Sequence, residues 1–599
     1  MKSLNKNFIA AIAIAILIVP GCAKKLEEQP YTVFSTEYFK TPEGLQAGIA
    51  SLYSGFRYLY GPEGAVAMGV AGTDEWGMGD QARGGAAGDL TQLCLYTFGA
   101  TNGQLLTPWN RSFSSINLAN GLILFAPDVP ISDADRNVAL GEIRVLRALY
   151  YLILVQYFGA VPLDLGSGDL QFNQTPFQGF NRQSVNELLA KNYTAIIDDL
   201  TFATQNLPAQ RPANAFRLSK AAALHLLAKA YMHRGYSSAA QAGDFQNAYD
   251  AAMEVINNQA TYGTALQEYY ADIHRPGNDY NSEILFSIER VPGNYAASEV
   301  PNPQGISGTK GMDASNDFCG DYTAVNSPVK TVNQKPVSAR TVTYGRPIRR
   351  FCPTPWLFNT AFADKFNDSR FEGSFRTVYI ASTTVGPFTA DVDTAFVMAR
   401  TNAEAATINA TKPYRAIAPS EFYFISGSTD GSATTGTSNM YPSLSKYEDP
   451  ERGTPNYPGA RPFPVAKLAE TYLLAAEAAM HTNRGTEAMN LINVLKQRAA
   501  NRPGLSAGDR TAAYNVIRVT VASQVTLDYI LDERTRELAG ECTRWPDLAV
   551  RGKLIERVQL YNTDAASAIQ AHHVLRPIPQ SQLDRVAEEN THQYQNPGY

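Results

Sequence analysis

The run GEIRVLRALYYLILVQYFGAVPL, residues 141–163, places Ile143, Leu146, Leu149, Tyr150 and Ile153 at helical spacing and then meets Gly159 and Pro162. Apolar residues recurring at i, i+3 and i+4 define one buried stripe of a helix, and Gly with Pro beyond it stops the helix. Upstream, WNRSFSSINLANGLI repeats the pattern through Trp109, Phe113, Ile116, Leu118 and Leu122, which predicts a packed neighbour. Three more periodic stretches follow, SVNELLAKNYTAIIDDLTFA, RLSKAAALHLLAKAYMHRG and DFQNAYDAAMEVINN, joined by short polar turns. A chain built this way must bury helix on helix.

The last two of these stretches read as one hairpin. Ala221, Leu224, Leu227, Ala228 and Tyr231 precede a turn at Gly235, and Ala248, Ala252 and Val255 return on the second helix. Small residues at the crossing are what tetratricopeptide-type pairs use to approach closely. A second hairpin of this type, PVAKLAETYLLAAEAAMHTNRGTEAMNLINVLKQRAA, turns near residues 483–485. Between the two, the chain is rich in Thr, Ser, Gly, Pro, Asn and Tyr, and the helical period vanishes. The expected fold class is therefore mostly α: a tetratricopeptide-like helical-repeat scaffold with a long insertion of irregular loops and short strands. The expected division is a helical part over about 31–261, a loop-rich ligand side over about 262–463, and a second helical part over about 464–599. Loops of this length held by a rigid frame are where binding is expected.

The first thirty residues carry a different message. The apolar run FIAAIAIAILIV spans Phe8 to Val19, shorter than the roughly 20 residues of a membrane-spanning helix. Lys2 and Lys6 precede it and Gly21-Cys22 follows, the layout of a secretory signal over 1–21. Val19-Pro20-Gly21-Cys22 resembles a lipobox, so Cys22 is the expected lipidation site and the mature chain, 22–599, is expected to be anchored rather than spanning.

A net charge of −5, from 51 Lys and Arg against 56 Asp and Glu, argues against nucleic acid as a partner. Cys94, Cys319, Cys352 and Cys542 are too dispersed for a zinc ribbon or a disulfide framework, though Cys319 and Cys352 could pair in an oxidising compartment. Reactive motifs fare no better. His225 and His233 lie about 80° apart on a helix and cannot share a metal, and no H-E-x-x-H is present. Gly504-Leu505-Ser506-Ala507-Gly508 has the spacing of a nucleophile elbow but follows a helix rather than a strand. Asp74, Glu75, Asp80 and Asp89 offer carboxylates without a specific catalytic arrangement. No catalytic residue, metal ligand or cofactor motif is assigned.

What remains is a binding signature. The loop AGTDEWGMGDQARGG, residues 71–85, sets Asp74, Asp80, Gln81 and Arg83 around Trp76 amid glycines. An aromatic face can stack on a sugar ring or a peptide side chain while carboxylate, amide and guanidinium bond its edges; the same residues could equally pack on the frame. In the middle region Tyr280, Tyr322 and Trp356 are the corresponding candidates, with Tyr295 and Tyr344 beside them.

Several blocks together resemble one family, the SusD/RagB outer-membrane lipoproteins of Bacteroidetes. CAKKLEEQP is similar to the start of its mature members, and EIRVLRALYYLILVQYFGAVPL to its most recognisable helix, with Arg144, Arg147, Tyr150, Tyr151, Tyr157, Gly159 and Pro162 in order. AKLAETYLLAAEAAM, ILDERTRELAGECTRWPDLAVRGKL and the end LRPIPQSQLD…QNPGY resemble three further blocks. The resemblance implies four tetratricopeptide-like helical pairs, where the periodicity alone gives two. It also implies a non-enzymatic protein at the outside of the outer membrane, which captures an oligosaccharide, or for some members a peptide, for a SusC-like TonB-dependent transporter. The alternatives are a RagB-like peptide-uptake protein, a surface adaptor that binds protein through its repeats, or a glycoside hydrolase. The matched blocks lie on helices, so they imply scaffold and partner surface, and no ligand residue is carried over by motif.

Overall fold

A computed structural model describes residues 36–79, 88–166, 185–213, 216–290, 311–325, 337, 339–422, 441–585 and 594–599. Cys22 and the signal segment 1–21 lie outside the described residues, as do Asp80, Gln81, Arg83 and Tyr295.

The helices of the first half are α1 (Pro42–Gly55), α2 (Glu63–Val70), α3 (Asp89–Leu95), α4 (Leu106–Phe125), α5 (Asp133–Phe158), α6 (Val185–Asn206), α7 (Lys220–Tyr236) and α8 (Asp244–Asn257). The helix read from residues 141–163 starts earlier than its apolar stripe. Ser132 caps α5 by accepting from the amide of Asp135 at 3.1 Å, and Gly159 ends it at φ +73°. An N-cap hydroxyl satisfies one of the orphan amides of the first turn, and glycine reaches positive φ without a Cβ penalty. α5 packs on α4 and α6. Arg147 forks onto Asp199 of α6 through Nε at 2.7 Å and Nη2 at 2.8 Å, and the Tyr150 hydroxyl donates to the carbonyl of Leu52 on α1 at 2.7 Å.

The second half holds α9 (Leu468–His481), α10 (Gly485–Ala499), α11 (Ala507–Ile517), α12 (Leu527–Leu538), α13 (Arg544–Val550) and α14 (Leu554–Tyr561). Hairpin α9–α10 docks directly on hairpin α7–α8 through α8 and α9, although some 200 residues separate them. Ala469, Ala475, Ala476, Ala478 and Ala479 are fully buried and let α9 approach both neighbours and α12. The chain is mostly α, with tetratricopeptide-like pairing. Ser506 of the G-x-S-x-G match is simply the N-cap of α11, accepting from the amide of Asp509.

Short strands tie the intervening region to this frame. β1 (Trp76–Met78) pairs antiparallel with β3 (Phe351–Pro353), setting Trp76 opposite Pro353 and Met78 opposite Phe351. β2 (Ile284–Ile288) pairs antiparallel with β7 (Phe463–Lys467), which runs straight into α9. β4 (Val378–Ile380), β5 (Thr394–Met398) and β6 (Arg415–Ile417) form a mixed sheet, antiparallel then parallel. Cys94, Cys319, Cys352 and Cys542 are all buried. Among the described residues no helix is long and apolar enough to cross a membrane.

Candidate functional site

Residues 71–79 of the expected loop are core, which corrects the reading of Asp74 and Trp76 as ligand contacts. Trp76 is fully buried on β1, its ring 4.4 Å from Phe318 and 6.3 Å from Phe375. No face is open for a sugar to stack on. Asp74 is enclosed as well: Arg544 forks onto it at 2.8 and 2.6 Å and Arg557 Nε reaches it at 2.6 Å. Trp356 stacks on Tyr561 at 5.1 Å with the Arg557 guanidinium 4.8 Å from its ring, and Tyr322 donates to the carbonyl of Gly345 at 2.5 Å while stacking on Tyr379. Both are buried, with their rings packed on protein partners. Tyr280 is half-buried against Tyr270, Ile273 and Ile284, and burial pushes its phenol up to about 12. All four tryptophans lie inside; burying that area outweighs any exposed role.

The charges of the blocks that carry the resemblance are interior too. Arg370, fully buried, meets Asp368 at 2.6 Å, Glu533 at 2.8 Å and Glu537 at 3.3 Å. Arg498 joins Glu537 to Glu283 of the loop before β2, and Arg534 joins Glu470 of α9 to Asp547 of α13. Glu541 takes the ammonium groups of Lys446 and Lys467, each at 2.7 Å, and together they hold its carboxyl well below the usual range against the opposing pull of burial. Buried pairs of this kind cost desolvation and repay it only with such multiple contacts, so what they supply is a defined geometry between frame and loops.

An open polar face forms where the loops leave this clamp. Asp313 and Ala314 donate their amides to the carbonyl of Gly61, and Asp313 accepts the amide of Glu63 at 3.2 Å, capping α2. The amide of Arg350 donates to the carbonyl of Asp317, and the amide of Gly79 to that of Arg350, extending the β1–β3 ladder to the surface. This brings together the ion pairs Arg350–Glu63 and Arg349–Asp321, all four side chains half-buried. Arg349 adopts φ +58°, a left-handed conformation that a side chain disfavours. A Cβ on Gly79 would lie 2.1 Å from the Arg349 carbonyl oxygen, so only glycine permits that approach.

Asn316 organises the adjoining part. Its Oδ1 accepts from the amide of Arg346 at 3.1 Å and from Arg452 Nη1 at 2.7 Å, and its Nδ2 donates to the carbonyl of Tyr457. Arg340 donates to Asn456 at 2.7 Å. Tyr457 keeps 36% of its surface exposed. Behind the face, Asp317 is fully buried with neither carboxylate oxygen hydrogen-bonded; burial, then Glu63 and Asp313, push it well above the usual carboxylate range. The face thus offers planar guanidinium forks, carboxylates and one open ring, the groups that bond hydroxyls and cover an apolar ring face. An interior cavity of about 50 Å³ beside Tyr60, Lys229 and Glu470 has room for a few waters, not for a ring.

Reading the sequence singled out Tyr344 here but not Arg340, Arg346, Arg349 and Arg350. The signal was present in RTVTYGRPIRR: four guanidinium groups within eleven residues of a glycine- and proline-broken loop.

Comparison with known proteins agrees with this architecture. The curated SusD-like protein P2 of Formosa agariphila is 28% identical over 338 residues, 55% of this chain and 62% of that protein, so the match spans less than two-thirds of the relative. A SusD homologue from Bacteroides thetaiotaomicron superposes with a TM-score of 0.65 at 20% identity, covering 95% of this chain and 99% of its own. Surface glycan-binding protein A from Bacteroides thetaiotaomicron, solved with laminarihexaose, gives 0.61 at 18% identity, covering 93% and 99%. Residues 89–232 match the family described as starch-binding associating with outer membrane. Residues 320–599, which contain the four loop arginines and most of the buried ion clamp, match the SusD family, and this match, the one over residues 89–232 and the curated SusD-like relative all support the SusD/RagB family for this chain.

Proposed function

We propose that this protein is a non-enzymatic cell-surface lipoprotein that captures an oligosaccharide and passes it to a SusC-like TonB-dependent outer-membrane transporter. The observation that carries the reading is the open face of Glu63, Asp321, Arg346, Arg349, Arg350 and Tyr457 on a SusD scaffold, whose structural relatives include one solved with laminarihexaose. Its ligand side is the part over about 262–463, with Glu63 at the start of α2 completing it. Cys22 supplies the lipid anchor, so the protein stays beside its transporter at the outer surface without a helix in the bilayer.

Guanidinium and carboxylate groups already held in pairs suit a neutral glycan. Each pair presents donors and acceptors at fixed geometry, and a hydroxyl can give a proton to one member and take one from the other. Pre-organisation keeps the entropy cost of binding low.

Calorimetric titration of the chain lacking residues 1–22 with laminari- and malto-oligosaccharides tests the reading. Saturable binding without release of new reducing ends is expected. Saturable binding of peptides alone would favour a RagB-like role, and turnover of a glycan would overturn the non-enzymatic assignment. Cys22→Ser expressed in the full chain is expected to leave the membrane fraction; a variant that still sediments with membranes refutes the anchor.

A further inference from the structure

Arg576 has surroundings that no role in glycan capture explains. Its side chain is fully buried, and Nε, Nη1 and Nη2 all lack a hydrogen-bond partner. The guanidinium lies over the ring of Trp545 at 4.1 Å and over that of Phe98 at 4.7 Å. The ionisable groups that act on it most strongly are Tyr96, Tyr599, Tyr157 and Cys94, none of them a carboxylate, and His573 lies within its field too. The Tyr96 hydroxyl lies beside the Trp545 indole and faces the same guanidinium.

The position is not an accident of a loose tail. The amide of Arg576 donates to the carbonyl of Tyr157 at the end of α5, and its carbonyl accepts from Asn596 Nδ2 at 2.6 Å. Asn596 Nδ2 also donates to the carbonyl of Phe158, and the Tyr599 hydroxyl to that of Leu575 at 2.7 Å. The backbone is thus pinned on both sides of a charge that has nothing to bond.

A guanidinium does not shed its proton in proteins, so burial cannot be relieved by neutralisation. Two aromatic faces offset part of the desolvation but bond none of the five N–H groups, which point outward in the guanidinium plane. The buried arginines Arg370, Arg498, Arg534 and Arg551 of the ion clamp are each met by carboxylates. Water would accept the hydrogen bonds but leave the positive charge uncompensated in a dry site.

We propose that Arg576, with the Tyr96 hydroxyl, holds a small monovalent inorganic anion of the halide class that locks residues 571–585 and 594–599 onto the end of α5 and the start of α13. The ion acts as a structural ligand and takes no part in glycan binding. Chloride is the member of the class that a secreted protein meets in quantity.

The test uses the folded chain lacking residues 1–22. Crystals grown with bromide in place of chloride should show an anomalous scattering peak in contact with the Arg576 nitrogens. Going from none to about 100 mM chloride at constant ionic strength, with gluconate as the balancing anion, should raise Tm by about 2 °C or more. Arg576→Met, which keeps the volume and the aromatic contacts, should lose that dependence. Ordered water alone at Arg576, or a Tm indifferent to halide in the wild type, overturns the proposal. A bromide peak without a Tm response marks binding at crystal concentration only and overturns it too. If Arg576→Met does not fold, the wild-type scattering and Tm measurements decide.

Discussion

Asp74 and Arg544 stand 470 positions apart in the chain and meet as a bidentate pair, Nε to Oδ1 at 2.8 Å and Nη2 to Oδ2 at 2.6 Å. The pair brings an N-terminal loop and the start of α13 into one buried joint beside Trp76. Asp74→Ala strands Arg544 and Arg557 without their shared acceptor and should cost about 3–5 kcal/mol in equilibrium denaturation. Trp76→Ala should cost a similar amount, about 3–5 kcal/mol, through the cavity it leaves. Either variant at wild-type stability would refute the core assignment of this loop.

The open face behaves in the opposite way. Arg349 and Asp321 keep part of their surface in water, so Arg349→Ala should change stability by only about 0–1 kcal/mol. Its affinity for the captured oligosaccharide should fall at least about tenfold, a loss of ~1.4 kcal/mol, and Tyr457→Ala should weaken binding in the same titration. Unchanged affinity in both variants would remove this face as the ligand site.

Two buried groups should tilt the pH dependence of stability in opposite directions. Burial, against the pull of Arg544 and with Asp74 beside it, pushes Glu75 up from 4.5 to about 7. Between those values the folded chain holds a proton that the unfolded chain has released, so Glu75 makes stability fall as pH rises from 4.5 through 7. His274 is lowered from 6.5 to about 3 by burial and by Lys467, against Glu541. Below 6.5 the unfolded chain takes up a proton that the folded chain refuses, so this group makes stability fall as pH drops from 6.5 to 3. Glu75→Gln should therefore flatten the first slope and His274→Gln the second, each read from denaturation midpoints across pH 3–8. Variants that leave both slopes intact would show these groups are not the source.

The four described thiols should be silent in the native state. All are buried, and burial raises Cys319 to about 12, so thiolate is scarce and shielded. Cys319 and Cys352 do not form a disulfide with each other. With Cys22 removed, a thiol reagent should label none of the four rapidly in buffer and all four in denaturant; two missing thiols after denaturation without reductant would reveal a disulfide.

The helices were legible because burying one stripe writes a period into the sequence. α5 could be read from Ile143, Leu146, Leu149 and Ile153, and both hairpins from small residues around a polar turn. Its true start at Ser132 was hidden, because its first turns, Asp133 to Asn137, carry no apolar stripe. The Trp76 loop misled for a related reason. Asp74, Trp76 and neighbouring glycines have the composition of a binding loop, and only partners hundreds of residues away turn the same composition into core. The face at Arg349 was written locally, in four closely spaced arginines, but nothing local shows that Asp321 and Glu63 arrive beside them.

The joint between Asp74 and Arg544 also sets the order in which this protein can become itself. A chain made from its N-terminus onward exposes Asp74 and Trp76 long before Arg544 and Arg557 exist, so β1 cannot be buried at a profit until α13 and α14 have been made. Early helices such as α4 and α5 can pair as they emerge, while the loop that closes the core waits for the end. Shortening the chain past Arg544 should therefore yield no smaller binding protein, only helices around an unfinished interior.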